Sequence, residues 1–584
     1  MLAMVDWAAL TIVTTQRAGV KTRQTAAEIF AAVVVGVCLF GQLGAIGLVG
    51  PDEPRYAWIA RAMAETGDWI TPRLYDAPWF EKPVLYYWLA GLGFKLGFSA
   101  EWAARLPSAL AALVATIAIA WLARRFYTSS SDSPTTPALL AAIVFATSVA
   151  AIGFARAATP DMLFSAAITL AMACAVYVLP VGAARNRDGD GGNDGAREYV
   201  ALGLFGAFLG LGVLAKGPAA VILAGGAMAI WAAFTREWRA AFRLAHPMAI
   251  VTFCLVALPW YVLCALRNPD FLHVFIFEHN FERYLTPLFQ HIQPFWFFVP
   301  IALLALVPWT GFLAAALAGG VEAWKAKSWR ESPEFFLACW AIFPILFFSV
   351  SKSKLPSYIL PGIPALTLLA TGAAQLVFGR TRRGALGIGA LVGVTWAGLI
   401  FAAVHRFEKL PTYVTNNFDL SAIRISAAAI AVTLIAVLLI PAAKQSFTWF
   451  VAANALLVAL TVEAVNIRVL PLLDPFVSAR LHGLYVTQNP THQFFTYELQ
   501  RSWVYGLAFY AHRELPEWTP GSPEYGTVLT GAKGYAEIRG GQAHERFGVI
   551  SSGILYVPVG GRDTEPEGNE MDAPNDAPLD QIQK

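Results

Sequence analysis

The chain has 584 residues, of which 57% are hydrophobic and only 14% charged, and its formal net charge is +3. Ordinary soluble domains carry roughly 25% charged residues, and a mean hydropathy of +0.54 leaves too little polar surface to cover soluble cores of this size. These figures exclude a soluble enzyme, a disordered scaffold and a nucleic-acid binder, and so small a net charge calls for no polyanionic partner. A polytopic α-helical membrane protein remains.

Residues 1–25 read as a cytoplasmic N-terminus, because Arg17, Lys21 and Arg23 precede the first long apolar run. A helix crosses the hydrocarbon layer with about 17–25 apolar residues. That rule predicts about 13 transmembrane helices, near 26–50, 105–122, 137–155, 162–181, 199–215, 218–234, 248–266, 295–317, 333–350, 359–378, 384–404, 424–442 and 447–466. Basic clusters at Arg124-Arg125, Arg185 to Arg187, Arg236 to Arg243, Lys325 to Arg330 and Arg380 to Arg383 all follow even-numbered spans. This places them in the cytoplasm and everything after about 467 outside. The five cysteines lie in apolar runs without metal-ligand company and read as buried hydrophobes.

The first outer loop, 51–104, carries Pro51-Asp-Glu-Pro-Arg-Tyr56 and Trp79-Phe-Glu-Lys-Pro83. Between Pro54 and Glu65, Trp58, Ile59, Ala62 and Met63 share one helical face, which predicts an amphipathic helix on the membrane surface. Asp52 reads either as a helix cap or, with Glu53, Arg55, Glu81 and Lys82, as part of a polar site. In Thr159-Pro-Asp161, Thr159 as N-cap and Asp161 in the first turn is a complete structural reading, and a functional Asp161 is equally open. Lys216-Gly-Pro218 ends the fifth span, where snorkelling is the simpler account of the lysine. Phe277-Glu-His-Asn-Phe-Glu-Arg-Tyr284, with His291 beyond it, is unusually aromatic for a solvated loop, and Ser351-Lys-Ser-Lys-Leu-Pro-Ser-Tyr358 forms the turn between spans nine and ten. Charges in membrane segments cost about 2.5–3.5 kcal/mol each. These avoid that cost by lying at helix ends on one side. Carboxylates (Asp52, Glu53, Glu81, Asp161, Glu278) and cations (Arg55, Lys82, Lys216, Arg283, Lys354) gathered there suit an anionic lipid headgroup: cations hold a phosphate and a carboxylate remains to take a proton.

Residues 467–561 read as a small α/β domain outside the membrane. Strands are expected at Gly483–Thr487, Gly526–Leu529 and within 548–558, and a helix near Trp503–His512. Residues 562–584, acidic and rich in Pro and Asn, read as a disordered tail.

The motifs Asp52-Glu-Pro-Arg-Tyr56, Glu81-Lys-Pro83, Thr159-Pro-Asp161, Lys216-Gly-Pro218 and Ser353-Lys-Leu-Pro-Ser-Tyr358, in this order over most of residues 30–480, resemble bacterial relatives of the protein O-mannosyltransferases. Within that superfamily they look nearest to the lipid A aminoarabinose transferase branch. The resemblance implies a GT-C glycosyltransferase in the bacterial inner membrane, with 26–466 as its catalytic domain and 467–561 in the periplasm. Such enzymes move a sugar with inversion from a polyprenyl (undecaprenyl) phosphate to an outer-leaflet acceptor such as lipid A, and no nucleotide cofactor is expected. It implies Asp52 as the orienting group or base and Asp161 as the second choice. Lys82, Arg283, Lys354 and Tyr358 would hold the donor phosphate, and Arg55 would orient Asp52 or contact the donor. Some members of the branch hold a divalent metal, for which Glu81 and His279 are the candidates. A mannose donor with a protein or another envelope glycan as acceptor fits the same residues. The rival class is a transporter. Its sites usually lie at the bilayer midplane between paired halves, whereas these charges cluster at one face. A non-catalytic scaffold displaying the outer domain leaves the ordered motifs unexplained.

Overall fold

In the computed structural model, the described residues are 3–127, 136–181, 194–275, 292–408, 420–521, 525–538 and 554–559; for 3–21, Asp194 and Glu331 only the backbone is described. Each of the predicted apolar stretches contains a helix, although the first ends at Phe40 rather than at 50, and they do not make thirteen uninterrupted spans. Among the described residues, ten helices are long and apolar enough to cross a bilayer. The 137–155 stretch is instead a pair, Pro137–Ala146 and Val149–Ala155, bent by 62°. Ala219–Thr235 is a shorter helix of 17 residues, and 295–317 is divided into Phe298–Ala305 and part of Gly311–Lys325. Pro308, which has no amide hydrogen to give, stands in the second gap.

The two breaks satisfy each other. The Val149 amide donates to the Val307 carbonyl at 2.9 Å, and Trp309 Nε1 donates to Thr147 Oγ1 at 3.0 Å. Ser148 caps its own helix by accepting the Ala151 amide. Polar backbone at membrane depth is tolerated only where protein groups meet it in this way. Elsewhere small residues set the packing distance. A Cβ on Gly206 would run into the Ala249 carbonyl of the neighbouring Pro247–Arg267 helix, so this contact needs glycine.

The 41–50 segment after the first span is not helical, and its carbonyls are collected by one side chain. Arg105, inside the Ala100–Phe126 helix, donates to Leu43 O and Ile46 O at 2.7 Å and to Gly47 O at 2.8 Å. The same guanidinium bonds Glu53 at 2.7 Å. Glu53 also accepts the Val49 amide at 2.9 Å and the Ala158 amide at 2.8 Å. Both side chains are buried. Glu53, grouped from the sequence with the site carboxylates, is therefore fully engaged in joining the start of the Asp52–Thr66 helix to the turn that carries Asp161.

The predicted amphipathic helix is observed at Asp52–Thr66, but protein covers its apolar face. Ile59, Ala60 and Met63 are buried against the Leu85–Lys95 helix, where Gly91 comes close to the Ala60 carbonyl. The helix also packs on Arg501–Ala511 of the C-terminal region.

That region begins beyond the last long helix, which runs from Phe447 to Val477. It holds a three-stranded sheet in the order Phe494–Tyr497, Gly526–Thr530, Leu555–Val559, the first pair parallel and the second antiparallel. Arg501–Ala511 is the helix expected near 503–512. The expected strand at 483–487 is instead the helix Arg480–Gln488. Gly483 lies against Tyr510 and the Leu507 carbonyl, a close approach between two helices that the alternating pattern does not reveal. The strand Phe494–Tyr497 is not among the expected ones, and 562–584 lies outside the described residues.

His482 in this region is buried. Its Nδ1 shares a 2.7 Å hydrogen bond with the Tyr556 hydroxyl, and the rings of Trp503 and Tyr556 flank it. Burial pushes its pKa down from 6.5 to about 4. A lowered pKa means that the unfolded chain binds the proton more readily. Stability is therefore complete above pH 6.5 and falls as pH drops from about 6.5 to about 4, by up to about 3 kcal/mol. Thermal unfolding scans at pH 7.5 and 5 should show a lower melting temperature at pH 5, and His482→Phe should flatten the difference. An equal pH dependence in the variant would assign it to other groups.

Candidate functional site

The site forms where helix ends from distant parts of the chain meet. Asp52 and Arg55 share the first turn of the Asp52–Thr66 helix. Pro51, with no side-chain bond to offer, occupies the N-cap position, so Asp52 is not the cap. Its Oδ1 takes Arg55 NH2 at 2.5 Å. The same nitrogen reaches Glu81 Oε2 at 2.9 Å, and Lys82 Nζ lies 3.4 Å from Glu81 Oε1. The Arg55 guanidinium thus bridges two carboxylates while lying 5.1 Å from the ring centre of Tyr56, 5.4 Å from Trp79 and 5.7 Å from Tyr505.

A second group stands beside it. Asp161, the first residue of its helix, is paired with Lys216, which ends the Asp194–Lys216 helix. Gly217, with φ of +97°, turns the chain immediately afterwards, a conformation that favours glycine. The Lys216 ammonium lies 5.2 Å from the Tyr358 ring centre, and Ser357 stands beside Asp161. Lys216 is therefore paired inside the protein, with its side chain 17% exposed, and does not snorkel.

The two groups feel each other's charge. The Asp52 carboxyl pKa is raised, chiefly by partial removal from water, with Glu81 and Asp161 adding to the rise and Arg55 and Lys82 opposing it. Three carboxylates (Asp52, Glu81, Asp161) face three cations (Arg55, Lys82, Lys216), so this cluster is electrically balanced. Asp52 is its accessible acid: its side chain is 52% exposed, against 11% for Glu81 and 14% for Asp161. Around it, Arg55 Nε, Trp79 Nε1 and Tyr87 Oη are buried without hydrogen-bond partners among the described residues. Such donors fit a polar ligand rich in acceptor oxygens.

The structure therefore brings Asp52, Arg55, Glu81, Lys82, Asp161 and Tyr358 together, with Lys216 and Ser357. Lys354 is placed differently. It is buried, and its ammonium donates to the carbonyls of Ser351 at 2.5 Å and Gln293 at 3.0 Å, pinning the 351–358 turn to the 292–293 segment. Arg283 and His279 lie outside the described residues. As for a metal, no three His, Cys, Asp or Glu side chains among the described residues gather as a ligand set, and Glu81 already faces two cations. The described residues alone do not fit a divalent ion. Sequence reasoning missed Tyr505, which lies about 450 positions from Arg55 and belongs to no motif, and it missed the Glu53–Arg105 pair, because Arg105 reads as an ordinary interfacial arginine.

The fold is that of GT-C membrane glycosyltransferases. The crystal structure of ArnT from Cupriavidus metallidurans bound to undecaprenyl phosphate superimposes with a TM-score of 0.68 and 24% identity, covering 88% of this chain and 94% of that one. The apo form of the same protein gives 0.67 and 23%, with the same coverage. Residues 29–275 match the family described as dolichyl-phosphate-mannose-protein mannosyltransferase, which bears out the resemblance drawn from the motifs. Among curated proteins, the undecaprenyl phosphate-alpha-4-amino-4-deoxy-L-arabinose arabinosyl transferase of Edwardsiella ictaluri is 35% identical over 344 residues, 59% of this chain and 58% of the relative. The transferase of the same name from Erwinia tasmaniensis is 32% identical over 354 residues, 61% of this chain and 60% of the relative. The matched stretch thus spans less than two thirds of either relative's own length.

Proposed function

We propose that the protein is an inverting glycosyltransferase that moves 4-amino-4-deoxy-L-arabinose from undecaprenyl phosphate to lipid A at the outer face of the bacterial inner membrane. The N-terminus is then cytoplasmic and the C-terminal region periplasmic. The observation that carries this reading is the meeting of Asp52–Arg55–Glu81–Lys82 with Asp161–Lys216–Tyr358 at adjoining helix ends. Relatives named for this reaction support the choice of sugar and donor.

The chemistry follows from the charges. The donor is a phosphodiester with one negative charge entering a balanced cluster. Lys82, with Arg283, offers it charge-assisted hydrogen bonds, and the orphan donors Trp79 Nε1 and Tyr87 Oη suit phosphate or sugar oxygens. The acceptor oxygen attacks the anomeric carbon from the side opposite the phosphate. A C–O bond forms to the acceptor, the C–O bond to the donor phosphate breaks, and undecaprenyl phosphate leaves with the electron pair. An attacking hydroxyl gives its proton to Asp52. A lipid A phosphate attacks as an anion, and Asp52 then serves by orienting Arg55 and the acceptor. Asp161, neutralised by Lys216, forms the wall beside it.

Deleting the gene and complementing with wild type or Asp52→Asn at equal membrane abundance tests this reading. Mass spectrometry should show an aminopentose on lipid A only with the wild type. Unchanged lipid A with a sugar missing from a protein or another envelope glycan would move the activity to that acceptor.

A further inference from the structure

The Arg501–Ala511 helix has two working faces. Leu507 and Ala511 enter the core of the C-terminal region with Val486, Phe494 and Leu529. Tyr505, Phe509 and Tyr510 instead pack into the core of the membrane part. The junction is polar as well as apolar. The Tyr510 hydroxyl accepts the Leu48 amide and donates to Glu101, both at 2.8 Å. Arg480 bonds Asp474 at 2.6 Å, and Asp474 accepts the Gly47 amide at 2.7 Å. Arg61 donates to the Phe509 carbonyl at 2.9 Å and lies 4.3 Å from the centre of that ring. So many buried contacts hold the C-terminal region at one position over the Asp52–Thr66 helix. They also fix the place of Tyr505, one helical turn before Phe509, 5.7 Å from the Arg55 guanidinium.

We propose that Tyr505 is a positioning residue of the reaction site, and that through it the C-terminal region is a working part of that site. Tyr56 and Trp79 come from the same loop as Arg55, while Tyr505 is the distant third member of its aromatic surround. A guanidinium held among ring faces keeps its plane and its direction. Here that direction is the one in which a single nitrogen bridges Asp52 and Glu81. Without the third ring, Arg55 gains rotamers in which the bridge is broken and Asp52 is no longer oriented. The catalytic readout of this inference rests on the proposed function, whereas the orientation of Arg55 does not.

The test compares Tyr505→Phe, which keeps a ring, with Tyr505→Leu, which keeps apolar bulk and loses the π face. The full-length protein would be used, with melting temperatures matched to the wild type. The first readout is phenylglyoxal labelling of Arg55 by mass spectrometry, normalised to Arg267. Labelling is expected to rise about threefold or more in the Leu variant and to stay at the wild-type level in the Phe variant. The second is transfer from undecaprenyl phosphate-linked aminoarabinose. There kcat should fall about tenfold in the Leu variant, with KM for the donor within about twofold, and the Phe variant should recover most of the rate. Equal labelling in the Leu variant and the wild type, or a Phe variant as impaired as the Leu variant, would overturn the inference. Wild-type protein that transfers no sugar would count against the proposed function, and the labelling would still decide the role of Tyr505.

Discussion

Replacing Asp52 by Asn should reduce sugar transfer by about 10²- to 10⁴-fold, the range in which a positioned acid–base group contributes, without loss of folded protein. The substitution keeps a carbonyl oxygen for Arg55 and removes the charge. Because the Asp52 pKa is raised, the folded state holds this proton more readily than the unfolded chain does. Ionisation of this group therefore costs stability as pH rises through the raised value. The Asn variant should accordingly melt at or above the wild-type temperature at neutral pH. The same shift fixes the pH dependence: the acidic limb of wild-type activity should lie above the range of an ordinary aspartate, and the residual activity of the variant should lack it. Initial rates between pH 4 and 8, with melting curves on the same samples, check all three statements. A variant that is inactive because it is unfolded would remove the argument for a role in the reaction.

The second large effect concerns folding. Glu53→Ala should destabilise the protein by about 3–5 kcal/mol, the cost of breaking a buried ion pair from one side. Arg105 would keep its charge among three carbonyls and lose the one carboxylate bonded to it, and the Val49 and Ala158 amides would lose their acceptor. Glu53→Gln, which restores an acceptor without the charge, should fall between the two. Detergent-solubilised yield and melting temperature measure the series. A Glu53→Ala protein as stable as the wild type would show that the pair does not hold the loop.

The spans and the site differ in how far the sequence reveals them, for physical reasons. Bilayer thickness imposes length and apolarity on each helix, so all thirteen stretches are visible as runs. Breaks such as those at Ser148 and Pro308 are not, because each depends on a partner break across the bundle. Asp52, Glu81 and Asp161 stand out because a charge beside an apolar run demands explanation. Their pairing does not, since Arg55 choosing Glu81, or Lys216 choosing Asp161, is a matter of tertiary approach. Lys354 shows the limit. A lysine in an outer turn reads as a headgroup ligand, yet its ammonium is spent on two carbonyls. Tyr505 lies at the other extreme, one tyrosine among 18, distinguished only by where the C-terminal region docks.

The most direct measurement is a reconstitution. Purified protein in lipid vesicles would be given undecaprenyl phosphate-α-aminoarabinose and lipid A, and the product examined by mass spectrometry and NMR. The account predicts lipid A carrying one added aminopentose whose anomeric configuration is opposite to that of the donor, with release of undecaprenyl phosphate and little product from Asp52→Asn. Retained configuration, or full activity in Asp52→Asn, would contradict it.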